Sequence, residues 1–346
     1  QWHRGSHPAA ACCVLLHLPE IRPRTEIDSD VVCPASEPYP QWYGTHQPYP
    51  LSSPHKVPLT RVITSTMSQL LFKAISPLTG QPTGISQLDP KGRTYRAPPE
   101  DEVISACLLA SEAFNWAFDI HHQGPFSGEV RCKLLHALAK GLVDLGDRLL
   151  EVTHHETGLA LPRLAGERDR AALQLRMYGD AAQSGMVLDG GGGGIFGVMR
   201  DPQPSAISPA TKPNFEHILI PLGPVAVFGA SNFPFAYSVL GGDTASALAA
   251  GCPVIVKGHP LHPGTGEMIA DMVAGTIRNL GLHHGLFSYL PSGGERELAI
   301  GAELLSHPSI AAVGFTGSFK AGMALHSMAN QRTIPIPVFA EMGSVN

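Results

Sequence analysis

The chain has 346 residues, of which 43% are hydrophobic and 15% charged, and its formal net charge is -5. This length allows two domains, or one large α/β unit, with a substantial core. The sequence pI of about 6.4 leaves no basic excess to neutralise phosphates, so we expect no nucleic-acid partner. No apolar run reaches the roughly 18 residues that a membrane span needs, so we expect no membrane partner either.

The cysteines form neither a disulfide framework nor a paired metal-binding set. There are six: Cys12, Cys13, Cys33, Cys107, Cys132 and Cys252. This usage is typical of a reducing compartment, and we expect a cytoplasmic protein without a metal site. Cys107 and Cys132 fall among apolar stripes, so we predict that both are small buried hydrophobic side chains.

Residues 1–66 differ in composition from the rest of the chain. They contain ten of the 31 prolines, precede the first methionine, Met67, and show neither helical nor strand periodicity. Two interpretations remain: a disordered tail, or a non-native leader upstream of a start at Met67. We favour the second, and we assign the folded portion to residues 67–346.

Three helices are predicted in the first part of that folded portion. Apolar residues recur at helical spacing over 101–118, with acids at the amino end, where the helix dipole favours them. Leucines repeat the pattern over 134–149, and a third helix is predicted over 162–182. The glycine run 190–194 and Gly197 match a dinucleotide-binding spacing, but the prolines that follow predict a loop instead.

From residue 217 to 341 apolar strands alternate with helices. The predicted strands are 218–228 (interrupted at Pro221 and Pro224), 253–256, 286–290, 310–315 and 334–340. The predicted helices are 239–250, 266–279, 295–305 and 319–329. Successive βαβ units predict an α/β fold, a Rossmann-like doubly wound parallel sheet with helices on both faces. Ligands of such sheets bind beyond the carboxyl ends of the strands.

Polar residues follow each of the five predicted strands. Asn232 brings a side-chain amide, which suits an oxyanion donor or an Asx turn, and Lys257 suits a nucleotide phosphate or solvent. Backbone N–H groups in 291–294 and 314–318 are available to a phosphate because each segment opens a helix. Glu341 is a candidate base.

This ordered set resembles the aldehyde dehydrogenase superfamily. The resemblance is carried by Asn232-Phe-Pro, Lys257, Gly314-Phe-Thr-Gly-Ser and Glu341-Met-Gly, and it covers residues 67–346. Longer blocks at 221–234 and 241–253 look like the ketoglutarate-semialdehyde (2,5-dioxovalerate) dehydrogenase branch, which is similar to NADP-dependent fatty-aldehyde dehydrogenases. The resemblance implies that Asn232 stabilises an oxyanion and that Glu341 activates the hydrolytic water. It further implies cofactor contacts from these residues: Lys257, His259, Gly293, Gly294, Thr316, Gly317, Ser318 and Gly343.

The resemblance also implies a cofactor and a substrate. NAD-dependent members carry an acid three residues after the lysine, and here Pro260 stands there, so NADP is preferred over NAD. The branch oxidises 2,5-dioxovalerate to 2-oxoglutarate, and Arg168, Arg170 and Arg176 are candidates for binding its carboxylate or for a solvated helix face.

Two hypotheses about the whole protein follow. In the first, the nucleophilic cysteine and the catalytic domain lie beyond residue 346, so this chain is an inactive amino-terminal fragment of an enzyme whose full-length form is a homo-oligomer. In the second, the chain is a catalytically inactive NADP-binding module. The pairing of Asn232 with Glu341 favours the first, because a binding module needs neither an oxyanion donor nor a base.

Overall fold

The structure is a computed structural model that describes residues 13–15, 70–83, 93–117, 124–184 and 219–343. The predicted leader, apart from 13–15, lies outside the described residues, as do the glycine run and residues 217 and 218. Within the described residues, no helix combines the length and the apolarity needed to cross a membrane.

The described residues form nine strands and eight α-helices. The strands are β1 Cys13–Leu15, β2 Leu71–Phe72, β3 Tyr95–Arg96, β4 Leu219–Pro221, β5 Val225–Phe228, β6 Val254–Lys257, β7 Phe287–Leu290, β8 Ala312–Thr316 and β9 Val338–Glu341. The helices are α1 Glu100–Ala117, α2 Gly128–Asp144, α3 Gly146–Thr157, α4 Leu161–Gln183, α5 Gly242–Ala249, α6 Pro263–Asn279, α7 Glu297–Ser306 and α8 Phe319–Asn330.

The main sheet has five parallel strands in the order β7-β6-β5-β8-β9. The chain builds outward from β5 to β7, then returns to the other side of β5 for β8 and β9. This reversal is the hallmark of a doubly wound sheet and leaves a crevice at the carboxyl ends of β5 and β8. The predicted α/β class is therefore confirmed. Two antiparallel pairs, β1 with β4 and β2 with β3, lie apart from this sheet.

Helices cover both faces of the sheet because alternate strand residues point to opposite sides. Val225 and Val227 belong to a core built with α2, α4, α5 and α6. Ala226 and Phe228 belong to the opposite core, which contains side chains of α1, α7 and α8. Strands buried on both faces explain the continuous apolar runs in the sequence.

Several predicted elements differ from those observed. The predicted strand 218–228 is two strands, β4 and β5, and only β5 belongs to the main sheet. The leucine repeat over 134–149 is two helices, because Gly146 adopts a left-handed φ of 63° and divides α2 from α3. The predicted strand 334–340 begins at Val338, since Pro335 and Pro337 lack the N–H that a strand needs. The predicted helix 239–250 begins only at Gly242.

The cysteine predictions had mixed outcomes. Cys107 is fully buried, as predicted, and burial raises the pKa of its thiol to about 12. The prediction for Cys132 was wrong: its side chain is partly exposed, and its Sγ donates to Oε1 of Gln183 at 3.5 Å. Periodicity placed Cys132 near an apolar stripe, but it lies at the margin of that stripe, beside α4.

Candidate active site at the carboxyl edge of the sheet

The loop that carries Asn232 connects β5 to α5 and is held in place by helix α4. Oε1 of Glu167 on α4 accepts hydrogen bonds from the backbone N–H groups of Phe235 (2.8 Å) and Ala236 (3.0 Å). Nη2 of Arg163, also on α4, donates to the backbone carbonyl of Asn232 at 2.7 Å. The backbone of Asn232 and that of the residues three and four positions after it are thus held by one helix.

Glu167 is a buried carboxylate, 5% exposed. Burial raises its pKa, while the two backbone hydrogen bonds and the charges of Arg163 and Arg170 oppose the rise. A buried acid without polar partners would be strongly destabilising, so its two backbone bonds account for its presence here. Glu167 is therefore an anchor of the Asn232 loop.

Two arginines of α4 converge on the aromatic residues of the same loop. The guanidinium carbon of Arg163 lies 5.0 Å from the ring centre of Phe233. Arg170 donates to the hydroxyl of Tyr237 at 2.8 Å and lies 5.3 Å from the centre of that ring. Stacking on aromatic faces holds a guanidinium in place while leaving donors in its plane free for a ligand.

The three arginines predicted from the sequence do not lie together. Arg170 is part of the aromatic cluster just described, whereas Arg168 forms an ion pair with Asp169 at 3.1 Å. Arg176 is exposed further along α4. Arg163, which sequence reasoning overlooked, contacts the Asn232 loop instead; its place one helical turn before Glu167 was the available signal.

Lys257 is the last residue of β6, level with the ends of β5 and β7. Burial lowers its pKa, and the negative charge of Glu297 on α7 opposes this effect. A half-buried ammonium at the ligand-binding edge is stabilised by a nearby anion. Lys257 therefore has the position and the charge to bind a phosphate or a ribose hydroxyl.

His259 and His262 stack on each other, with ring centres 5.2 Å apart, but only His259 is accessible. Nδ1 of His259 accepts from the backbone N–H of Leu261, so its Nε2 carries the proton and can donate to a ligand. Burial lowers the pKa of His259 to about 3, so it is neutral at pH 7. His262 is buried and its Nε2 donates to the carbonyl of Ala230, so it supports the loop rather than facing a ligand.

The segment after β7 does not open directly into an α-helix as predicted. Gly294, at a left-handed φ of 60°, begins one 3-10 turn, and α7 starts at Glu297. Gly293 is in extended backbone and packs so closely on Phe72 that a side chain there would meet the ring. The hydroxyl of Ser292 is buried and has no hydrogen-bond partner among the residues that the structure describes.

The end of β8 leads directly into α8. Ser318 is the N-cap of that helix, and its Oγ accepts from the backbone N–H of Ala321 at 3.4 Å. The N–H of Gly317 donates to the carbonyl of Glu341, and Ser318 pairs with Gly343 in an isolated bridge. The predicted residues Thr316, Gly317, Ser318 and Gly343 therefore lie side by side, at a helix amino terminus that suits an anion.

Asp243, in the first turn of α5, is a site residue that sequence reasoning missed. Its Oδ2 accepts a hydrogen bond from Oγ1 of Thr316 at 3.1 Å. Gly314 makes room for it, since a Cβ there would lie 3.1 Å from the Cβ of Asp243. Burial raises the pKa of Asp243 to about 6; the bond from Thr316 opposes the rise and the charge of Glu341 adds to it.

Glu341 is the last residue of β9 and is paired in register with Thr316. Its side chain is exposed, and its Oε1 accepts from the backbone N–H of Gly343 at 3.1 Å. Thr316 thus bonds to the carboxyl group of Asp243 and is the strand partner of Glu341 at one edge of the sheet. The two carboxyl groups have different surroundings, since Asp243 is largely enclosed whereas Glu341 is exposed.

None of the described cysteines with a described side chain lies at this edge. Cys252 is buried before the amino end of β6, as predicted, and Cys107 is buried in α1. Cys132 lies on α2. These positions are all away from Asn232 and Glu341.

The fold defines the class of protein: a doubly wound α/β chain whose carboxyl edge carries an amide, a lysine, a helix amino terminus and two acids. Comparison with known proteins then shows the family. The model of the aldehyde dehydrogenase family matches residues 90–346, and the chain belongs to this family.

The chain is similar to two curated bacterial proteins. It is 43% identical over 275 residues to alpha-ketoglutaric semialdehyde dehydrogenase 2 of Azospirillum brasilense, covering 78% of this chain and 49% of the relative. It is 40% identical over 257 residues to alpha-ketoglutaric semialdehyde dehydrogenase of Acinetobacter baylyi, covering 74% of this chain and 45% of the relative. The chain therefore spans about half the length of these relatives.

Solved structures show the same fold. A salicylaldehyde dehydrogenase from Pseudomonas putida, in complex with salicylaldehyde, superposes with a TM-score of 0.62 at 20% identity. The likeness covers 81% of this chain and 50% of that one. At this identity the comparison supports the fold alone, and it agrees with the predicted architecture.

Proposed function

We propose that this chain is the cofactor-binding half of an NAD(P)-dependent aldehyde dehydrogenase that oxidises 2,5-dioxovalerate to 2-oxoglutarate. The observation that carries the proposal is that the Asn232 loop follows β5 while Asp243 is bonded to Thr316 at the end of the neighbouring β8, with Glu341 at the end of β9, at the edge where the strand order reverses. A sheet that only bound a nucleotide would need neither a fixed amide-bearing loop nor a pair of acids. The nucleophile in this proposal is a cysteine outside these 346 residues.

The cofactor proposal rests on the surroundings of Lys257. Its ammonium is half-buried, and Pro260 stands where NAD-dependent members of the family carry an acid. Lys257 supplies positive charge and neutral His259 supplies a donor, which suits a 2′-phosphate and favours NADP over NAD. The buried Ser292 hydroxyl and the amino end of α8 offer further contacts to the phosphates of the cofactor.

The reaction divides among the chain's own residues. The Asn232 amide donates to the oxygen that becomes negative when a thiolate attacks the aldehyde, where one fixed donor contributes on the order of 3 kcal/mol. A bound nicotinamide supplies the hydride acceptor for the oxidation. Glu341 then accepts a proton from water so that the acyl group is released as a carboxylic acid.

The substrate proposal rests on the arginine and aromatic cluster at the Asn232 loop. Arg163 and Arg170 are held over Phe233 and Tyr237, which lie one and five residues after the amide-bearing Asn232. A guanidinium pair is suited to the carboxylate at the far end of a 2-oxo acid semialdehyde. The names of the two curated relatives support the same substrate class.

The cofactor proposal is tested by titrating the 346-residue chain with NADPH and NADH and following the fluorescence of the reduced nicotinamide. We expect NADPH to bind at least about tenfold more tightly than NADH, a difference of about 1.4 kcal/mol. The Lys257→Ala variant should lose this preference, whereas Lys133→Ala, exposed on α2, should keep it. Equal affinities would contradict the NADP assignment, and no binding would contradict the nucleotide site.

The catalytic proposal is tested on the protein as its cells make it, purified intact and assayed for reduction of NADP by 2,5-dioxovalerate. A neutral aldehyde of similar length is the matched control for the carboxylate. We expect a clear preference for the acid substrate, because only its carboxylate engages the two arginines. Nucleotide binding without oxidation of any aldehyde would favour the alternative of a non-catalytic NADP-binding module.

A further inference from the structure

A cluster of three side chains lies on the outer surface of α2 and α4 and has no role in the proposed reaction. Cys132 and His136 are one turn apart on α2, and Asp180 faces them from α4. A sulfur, a ring nitrogen and a carboxylate oxygen of these residues all lie within 4.8 Å of one another. Nitrogen, sulfur and oxygen together are the donor set that zinc accepts.

The helix pair holds this arrangement before any ligand arrives. Nε2 of His136 lies 2.8 Å from Oδ1 of Asp180, and Sγ of Cys132 lies 3.5 Å from Oε1 of Gln183. Gly179 admits the imidazole, because a Cβ there would come within 2.8 Å of Cδ2 of His136. A glycine opposite the histidine allows the two helices to approach closely, which brings donors from both within reach of one ion.

The cluster is also accessible and carries negative charge. His136 and Asp180 are exposed, and Cys132 is partly exposed, unlike buried Cys107 and Cys252. Burial and the charges of Asp180 and Glu129 raise the pKa of the Cys132 thiol. The same two carboxylates that disfavour a bare thiolate attract a divalent cation, whose charge reverses that effect.

We propose that Cys132, His136 and Asp180 form a binding site for a divalent metal ion of the zinc class. Binding forms three metal–ligand bonds, releases the Cys132 thiol proton to solvent and replaces the hydrogen bond between His136 and Asp180. Water or the Gln183 amide oxygen completes a tetrahedral set.

Cobalt is the probe, since a thiolate bound to Co²⁺ gives a near-ultraviolet charge-transfer band that oxygen and nitrogen ligands do not. The titration uses the 346-residue chain with Cys12, Cys13 and Cys33 replaced by serine, so that thiols outside the site do not contribute. We expect a saturable band that stoichiometric Zn²⁺ abolishes. Zinc should also protect Cys132 from alkylation by a maleimide.

Variants assign the ligands. Cys132→Ser should abolish the band, and His136→Ala or Asp180→Asn should each weaken Co²⁺ binding at least about tenfold. His155→Ala on α3 and Asp144→Asn at the end of α2 remove an exposed imidazole and an exposed carboxylate elsewhere, and should change nothing. Circular dichroism checks that each variant is folded. If Cys132→Ser is unfolded, the proposal is tested by Asp180→Asn and by the protection of Cys132 from alkylation by zinc. Absence of the band at millimolar cobalt, or its survival in Cys132→Ser, would overturn the proposal.

Discussion

The two ends of the candidate active site are built in opposite ways. Helix α4 holds the Asn232 loop in place through two hydrogen bonds to buried Glu167 and one from Arg163. Glu341 is exposed at the end of an edge strand, and its carboxylate accepts a hydrogen bond from the nearby N–H of Gly343. This contrast matches the proposed roles, because an oxyanion donor works by being preorganised whereas a base must reach water and exchange its proton.

The largest expected effect comes from removing the anchor of the fixed end. Glu167→Ala leaves the N–H groups of Phe235 and Ala236 without their acceptor, and we expect the free energy of unfolding to fall by about 3 kcal/mol. Urea unfolding of the 346-residue chain measures this loss. Glu167→Gln retains one acceptor oxygen and should cost only about 1 kcal/mol. Exposed Glu151→Ala is the control, and a loss below 1 kcal/mol for Glu167→Ala would show that the loop is not anchored here.

A smaller effect is expected at Asp243, which lies between the two ends. Its pKa is about 6 in the folded protein, against its usual value of 3.8, so the folded state binds the proton more tightly. Stability contributed by this group therefore falls as the pH rises from about 4 to about 6, by about 2–3 kcal/mol, and stays low above that range.

Asp243→Asn keeps an acceptor for Thr316 but cannot titrate. Urea unfolding at several pH values should show that the difference in stability between wild type and variant changes over this range and is constant above it. Other buried acids, such as Glu156 and Glu167, contribute equally to both proteins and cancel in the difference. Parallel pH profiles for the two proteins would mean that Asp243 is not protonated in this range.

A still smaller loss of stability is expected when Arg163 is replaced. Arg163→Leu removes a hydrogen bond to the Asn232 carbonyl and the stack on Phe233, both partly exposed, so we expect a loss of about 1 kcal/mol. Hydrogen exchange of the loop amides from 233 to 237 should accelerate, while the sheet is unchanged. Arg176→Leu, exposed on the same helix, should leave the exchange unaffected. Unchanged exchange in Arg163→Leu would leave Glu167 as the sole anchor.

The sequence predicts the sheet well because its periodicity reports burial directly. The strands over 225–228, 254–257, 287–290 and 312–316 are buried on both faces, and each appears as an apolar run bounded by glycine or proline. Their order along the chain, interrupted by helices, is enough to derive parallel strands and a doubly wound fold. The errors of the prediction are local. The leucine pattern predicts one continuous helix, but the left-handed Gly146 divides it into α2 and α3.

The site was predicted less completely, because strand-end reasoning finds only residues close in sequence to a strand. Lys257, Thr316, Ser318 and Glu341 were found in this way. Glu167 and Arg163 lie on α4, roughly 70 residues before the loop that they hold. In the sequence, neither can be distinguished from the other charged residues of that helix. Asp243 looks like an ordinary acid in the first turn of a helix, and only the packing of α5 beside β8 brings it to Thr316.

The smallest effect is expected at Glu341, the open end. Its carboxylate is exposed, so Glu341→Gln keeps an acceptor for the Gly343 N–H and should change the free energy of unfolding by less than about 0.5 kcal/mol. Urea unfolding under the conditions used for Glu167→Ala makes the two ends directly comparable. A loss above 1 kcal/mol would mean that Glu341 holds the β9 end in place as Glu167 holds the Asn232 loop. The carboxylate would then be fixed to its own backbone, and a group fixed in that way is poorly suited to take a proton from water.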